Sequence, residues 1–330
     1  MEQIYPILLD FDQNRTPVRP RDASTVIVLR DGRAGIEVFC VRRHASSSFM
    51  GGAVVFPGGK VDAQDGAEVW RDRATEPPAR AAAFATGETP ARALCVAACR
   101  ETLEEGGILP TDLPLPGDEV DAVGRELAAG APLDAVLARR GLKLALAALV
   151  PWARWITPLA EARRFDARFF LLPLPPGQIG RHDGHETTMS FWAAPSEVLE
   201  RAARGEILLA PPTSRTLELL AAVADVRSAV ALAERQPLLP ICPRFVPGDG
   251  AEPPYLALPG DPSHEARDRR AEGPTRYVLR NGRFVAEECC AHGSLIHIKQ
   301  EREPDPPVPT SFDAPQTNAP SVPATPDLEE

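Results

Sequence analysis

The chain has 330 residues, with 36 Lys+Arg against 46 Asp+Glu, a formal net charge of −10 and six cysteines. That balance excludes a nonspecific nucleic-acid binder, which needs a basic surface to displace counterions, and no apolar run reaches the ~20 residues that span a bilayer as a helix. The length suits one sizeable core with an appendage, and cysteines without disulfide spacing fit a reducing compartment.

Residues 1–22 are irregular except for Ile4 to Leu9, which reads as a short edge strand. Ser24 to Arg30 and Ile36 to Val41 are β-branched runs joined by Asp31-Gly32, and so predict a hairpin. After the Ser-rich loop Ala45 to Ser48, Phe49-Met50-Gly51-Gly52 leads into Ala53-Val54-Val55-Phe56, a strand ending in the glycine turn Pro57-Gly58-Gly59-Lys60. Residues 66–92 read as a long loop able to screen a site, or equally as a surface excursion.

Thr89 is an expected N-cap, and Pro90 suits the first turn of a helix that Gly106-Gly107 ends. Val96, Cys99 and Leu103 give that helix one apolar stripe, while Glu101, Glu104 and Glu105 crowd its C-terminal end. Three carboxylates there repel one another and oppose the helix dipole, so a cation should compensate.

Val120, Val123 and Leu127, then Leu133, Val136 and Leu137, predict two short helices forming a cap over 110–150. Strands are expected at Trp152 to Ile156, Ala167 to Leu172 and Thr187 to Trp192. Their aromatic residues read as core. Ser196 and Thr213 or Ser214 are candidate starts of two further helices, ending near Gly205 and Ala224. Residues 236–300 read as a small β appendage with an Asn281-Gly282 hairpin turn. Within it, Cys289-Cys290, His292 and His297 match no common zinc spacing and read as packed side chains. The tail, 301–330, holds eight prolines, seven acids and one arginine, and is expected to be disordered.

A strand, a glycine turn and a carboxylate-bearing helix together suit a divalent-metal site for a phosphate ester, because Mg²⁺ takes a few carboxylates, waters and substrate phosphates. Gly59, Asp65, Arg100-Glu101, Glu104-Glu105, Gly107 and Ile108 then resemble the Nudix box, G-x5-E-x7-R-E-U-x-E-E-x-G-U, where U is bulky and apolar. Three positions depart from it. Asp65 replaces the first Glu, Thr102 fills an apolar position, and about 27 extra residues precede Arg100. The interrupted box is similar to that of the Nudix branch containing the peroxisomal coenzyme A diphosphatase, as are the segments FMGGAVVFPGG, WITP, RRFDARFF and APSEVLERAARGEILLAPPT.

That resemblance implies an α/β fold, a Nudix-type α/β/α sandwich on a mixed sheet, spanning 1–235. It implies a Mg²⁺- or Mn²⁺-dependent diphosphatase. Glu101 and Glu105 would be the main metal ligands, Glu104 a further ligand or water-orienting carboxylate, and the Gly58 carbonyl a backbone ligand. Arg100 would hold the glutamates in place. Glu186, in a polar loop before a strand, is the candidate general base, with a solvated loop residue as the rival reading. For substrate, Gly59, Arg42 and Arg43 are candidates, the arginines because Ser48 stands where the coenzyme A motif has an arginine.

Coenzyme A or an acyl-coenzyme A is the expected substrate. ADP-ribose or another nucleoside diphosphate derivative is the alternative, and a ligand-binding module without turnover is the reading of another class. The partner is thus a small molecule, with no nucleic acid and no membrane. The N-terminus lacks a basic leader, and Leu328-Glu329-Glu330 is unlike a peroxisomal signal, so a cytoplasmic location is expected.

Overall fold

The structure is a computed structural model and describes residues 11–45, 50–182, 187–250 and 252–288. β1 (Arg21–Gly32) and β2 (Gly35–Arg43) form the expected antiparallel hairpin. β3 (Val54–Val55) and β4 (Gly58–Lys60) bracket the glycine turn, followed by α1 (Trp70–Arg73), α2 (Ala91–Gly106), α3 (Gly117–Ala128) and α4 (Leu133–Arg139). Next come β5 (Val150–Ile156), β6 (Phe165–Pro173) and β7 (Thr187–Ala193), then α5 (Pro195–Ala203), α6 (Pro211–Leu220) and α7 (Val226–Ala233). The chain continues through β8 (Pro240–Ile241), β9 (Arg244–Val246), β10 (Tyr255–Ala257), β11 (Arg276–Arg280) and β12 (Arg283–Glu287).

Eight strands make a mixed sheet in the order β3-β2-β1-β6-β5-β8, with β4 also on β1 and β7 also on β2. The β1–β6 and β5–β8 pairs are parallel. Alternation along the central strands sends side chains to two separate cores. Val26, Val28, Phe39, Val41, Phe170 and Leu172 pack toward α2, α3 and α4. Their neighbours Ile27, Leu29, Val38, Cys40, Phe169 and Leu171 pack toward α5, α6 and α7. Helical layers therefore cover both faces, as an α/β/α sandwich requires.

Several local expectations need correction. α2 is buried nearly all round, from Ala93 to Cys99 without a break, so its run of small apolar residues serves two packing surfaces and not one stripe. Thr89 does not cap it. The N-cap is Pro90, and the Thr89 hydroxyl instead donates to Asp22 Oδ2 at 2.5 Å. α5 and α6 likewise start from Ala194 and Ala210, each with proline in the first turn. α7 lies beyond the expected helical stretch and is capped by Asp225, whose side chain accepts from the Ser228 N–H at 2.7 Å.

The insertion is not structureless. It holds α1 and a 3₁₀ turn over Ala79–Phe84, and its Trp70, Ala74, Ala81 and Phe84 enter the core on the α2 side. Arg80 caps the far end of α7 by donating to Ala233 O at 2.7 Å and Gln236 O at 2.8 Å.

β9 to β12 form a separate antiparallel sheet, closed by Asn281 and Gly282 at φ 49° and 74°, the left-handed pair a two-residue hairpin needs. It belongs to the compact unit that runs to Ser294. The edge strand expected at Ile4 to Leu9, the Cys289 to His297 group and the acidic tail lie outside the described residues.

Candidate active site

α2 ends where Gly107 adopts φ 59°, ψ 35° and returns its N–H to Leu103 O. The three glutamates of its last turns thereby come to rest beside β4. Gly58 donates its N–H to Glu105 Oε2 at 2.9 Å, and Glu105 is only 3% exposed. Glu101 lies against Gly59, where a Cβ would stand 2.5 Å from either carboxylate oxygen. Only a residue without a side chain admits the carboxylate at that distance.

The cation that the acidic helix end demands is Arg100 itself. Its Nη1 donates to Glu101 Oε1 and Glu104 Oε2, both at 2.9 Å. Nε and Nη2 donate to the two oxygens of Asp65, again at 2.9 Å, and Nη2 also reaches Lys60 O. Burial pushes the Arg100 pKa down, but the hydrogen bond to Asp65 and the charges of Glu101, Asp65 and Glu104 outweigh it and raise the value. Asp65, 1% exposed, is fixed in turn by the Asp62 N–H at 2.8 Å.

Asp65 therefore occupies its box position as the buried partner of the arginine. The other substitution is also resolved: Thr102 is buried and satisfies its hydroxyl on Ala98 O at 2.7 Å, so it behaves as an apolar residue.

Glu101, Glu104 and Glu105 border a cleft of about 980 Å³ that also takes in Gly58, Gly59, Lys60, Asp62 and Arg43. Arg43 and Arg42 separate here. Strand alternation puts Arg43 on the cleft, while Arg42 is absent from its lining and directs Nε toward Gly52 O at 3.4 Å. Arg43 Nε is shielded from solvent with no hydrogen-bond partner among the described residues. A buried donor of this kind is costly unless a ligand satisfies it.

For Gly58 the observed contact is its N–H on Glu105. Glu186 lies outside the described residues. The loop segment before it is held near the helix end, since Arg181 donates its backbone N–H to Gly106 O at 2.7 Å. No residue from 67–92 lines the cleft, so the insertion does not screen this mouth.

Among the described residues no three carboxylate, imidazole or thiol groups converge as a ready metal cage. The donor set nonetheless fits Mg²⁺ or Mn²⁺. Glu101, Glu104 and Glu105 line the cleft, while Arg100 pairs with the first two and with Asp65, so the cleft is rich in hard oxygen donors. Mg²⁺ is ordinarily held by one or two carboxylates with waters and substrate phosphates, not by an all-protein cage.

A family model described as the NUDT19 Nudix domain matches residues 20–220. The chain is 28% identical over 318 residues to the acyl-coenzyme A diphosphatase NUDT19 of Gallus gallus, covering 81% of this chain and 82% of that one. The protein of the same name from Homo sapiens is 28% identical over 239 residues, and the match covers 58% of this chain and 62% of the relative. Among solved structures, a NUDIX hydrolase from Alicyclobacillus acidocaldarius superposes with a TM-score of 0.55 at 31% identity, over 64% of this chain and 96% of that chain. The fold expected from the interrupted box is thereby borne out.

Proposed function

Because the chain belongs to the NUDT19 Nudix domain family of diphosphatases, we propose that it hydrolyses the diphosphate linkage of coenzyme A or an acyl-coenzyme A with Mg²⁺ or Mn²⁺. The observation that carries this reading is the gathering of Glu101, Glu104 and Glu105 at one end of a cleft large enough for an extended substrate. The names of the Gallus gallus and Homo sapiens relatives supply the substrate class.

In this reading Glu101 and Glu105 hold the cation, and Glu104, with its side chain 39% exposed, reaches water in the cleft. A cation held there would supply positive charge against the diphosphate and activate water for attack. Arg100 keeps Glu101 and Glu104 from drifting apart, a positioning role. Arg43 and Lys60 face the substrate's anionic part, and Arg43 gives its unpaired Nε–H to a phosphate oxygen. Water adds to one phosphorus, the bridging P–O bond breaks, and coenzyme A yields a nucleotide and a phosphorylated pantetheine arm.

The test is a turnover screen of coenzyme A, acyl-coenzyme A, ADP-ribose and dinucleoside polyphosphates, each with Mg²⁺, Mn²⁺ or a chelator. Cleavage of the coenzyme A compounds that stops with chelator is the expected result. Preferential cleavage of ADP-ribose or a dinucleotide would replace the substrate assignment while leaving the diphosphatase chemistry.

A further inference from the structure

The cleft is lined by two chemically different sets of side chains. One is charged, the glutamates with Lys60 and Arg43; the other is apolar, with Trp155 of β5, Phe169 of β6, Pro211 and Pro212 of α6, and Leu256 and Phe284 of the C-terminal sheet. Its volume, about 980 Å³, lies at the top of the range of roughly 300–1,000 Å³ usual for small-molecule sites, so the substrate extends beyond its phosphates.

The start of α6 shows which kind of group belongs against the apolar lining. A helix N-terminus commonly binds anions through its free N–H groups. Here the first two positions are Pro211 and Pro212, which have none. A helix start that lacks two of its donors, in a lining that also holds Trp155, Phe169 and Phe284, suits an uncharged, apolar group.

Two of the wall residues, Leu256 and Phe284, come from a sheet that lies outside the family-matched span 20–220. That sheet is tied to the helices behind the cleft. Arg215 of α6, 2% exposed, donates to Tyr277 Oη at 3.0 Å and to the carbonyls of Glu272 and Pro274. Arg283 caps α5 by donating to Ala202 O at 3.2 Å and Ala203 O at 3.1 Å. Phe284 next to it packs on the cluster formed by Ala53, on the segment leading to the glycine turn, and Leu208, before α6.

We propose that the C-terminal sheet completes an acyl-chain subsite, with Phe284 and Leu256 setting the preference for long acyl groups over free coenzyme A. This inference rests on the substrate reading above and adds the part of the chain that selects the acyl arm. The charged lining anchors every substrate alike. The apolar lining rewards each methylene it removes from water.

The test separates binding from turnover. Calorimetry on the full-length chain in chelator gives dissociation constants for coenzyme A and its acetyl, hexanoyl and dodecanoyl esters. We expect the dodecanoyl ester to bind at least about tenfold more tightly than the acetyl ester, a small part of what full burial of ten methylenes would give. Phe284→Ala should remove about fivefold or more of that advantage and leave coenzyme A within about twofold. Phe284→Leu should restore most of it, and Phe284→Trp should weaken the dodecanoyl ester relative to the acetyl ester by narrowing the subsite.

Melting curves identify any variant that fails to fold, and the remaining two then decide. A parent ladder that is flat, or variants that shift all four ligands equally, overturns the subsite. Mg²⁺-dependent turnover is measured separately on the same ligands. Steep binding without turnover removes the hydrolase reading and keeps the subsite; turnover with a flat ladder does the reverse.

Discussion

Asp65 and Arg100 meet in a two-pronged pair, Nε to Oδ1 and Nη2 to Oδ2, each at 2.9 Å and both residues buried. The pair joins the segment after the glycine turn to the middle of the acidic helix, so it fixes the distance between the two halves of the box. Removing one partner of a buried ion pair strands the other charge. Asp65→Ala should cost about 3 kcal/mol in urea unfolding, near the low end for such a loss because Arg100 keeps Lys60 O and two glutamates. Asp65→Glu, which retains the charge, should lose less than half as much. Equal losses from both substitutions would show that the carboxylate is not what matters there.

Gly58 and Gly59 should fail in different ways. A Cβ at Gly58 meets Ser24 O at 2.4 Å and the Thr25 Cα at 2.7 Å, and that backbone is fixed in the sheet. Gly58→Ala should therefore destabilise the fold by about 2 kcal/mol or more. At Gly59 the clash is with the movable end of Glu101. Gly59→Ala should keep stability within about 1 kcal/mol and lower turnover by about tenfold or more, because a misplaced catalytic group is costly. The reverse pattern would show that Glu101 does not rest on the glycine turn.

What could be read from the sequence follows the range of the forces involved. The end of α2, the hairpin of β1 and β2 and the Asn281-Gly282 turn rest on local backbone preference, and they appear where pattern and turn chemistry put them. The start of α2 does not, because Thr89 finds a better acceptor in Asp22, 67 residues away in the chain. Arg43 and Arg42 were indistinguishable without the register of β2, which decides which of two neighbours meets the cleft. Nothing local to Phe284 announces that it lines the cleft. The one available signal for the insertion was its aromatic content, since Trp70 and Phe84 have little reason to sit in a solvated loop.

The insertion should act on stability before it acts on substrate choice. Trp70 Nε1 donates to Gln64 O at 2.9 Å, and Phe84 meets Phe170 edge-on at 5.4 Å between ring centroids. Trp70→Ala and Phe84→Ala should each cost about 3–5 kcal/mol. Shortening 66–92 should then abolish folding, and a shortened protein that melts like the parent with altered substrate preference would restore the screening role.

Cysteine chemistry offers an independent check on the two cores. Burial pushes the Cys40 and Cys95 thiols up to about 12, and Cys99 is raised too, by burial first and then by its neighbours Cys95 and Asp65. At pH 8 a thiol near 12 is ionised at only about one part in 10⁴, and the thiolate is the reactive form. Pulse alkylation of the native protein followed by peptide mass mapping should leave all three unmodified while half-buried Cys242 reacts first among these four. Rapid labelling of Cys95 or Cys99 would mean that α2 is not enclosed as described.

The decisive substitution is Glu105→Gln, because it changes charge while nearly preserving shape. The amide oxygen can still accept the Gly58 N–H that now reaches Glu105 Oε2 at 2.9 Å, so the glycine turn and the helix end should stay in place. Loss of one of several crowded negative charges relieves repulsion of a few tenths of a kcal/mol, which bounds any gain in stability. Turnover should nevertheless fall by about 10² or more, equivalent to about 2.7 kcal/mol in the barrier, if the lost charge helps hold a cation against the diphosphate. Glu101→Gln should behave alike, since its oxygen remains within reach of Arg100 while its charge is gone. Glu104→Gln should have a smaller effect, because its side chain is 39% exposed and water already screens it. Metal titration adds the second readout: both severe variants should need more Mg²⁺ for half-maximal rate. If Glu101→Gln and Glu105→Gln each remain within about twofold of the parent, a change under 1 kcal/mol, the acidic end of α2 does not hold the catalytic cation, whatever the family of the chain.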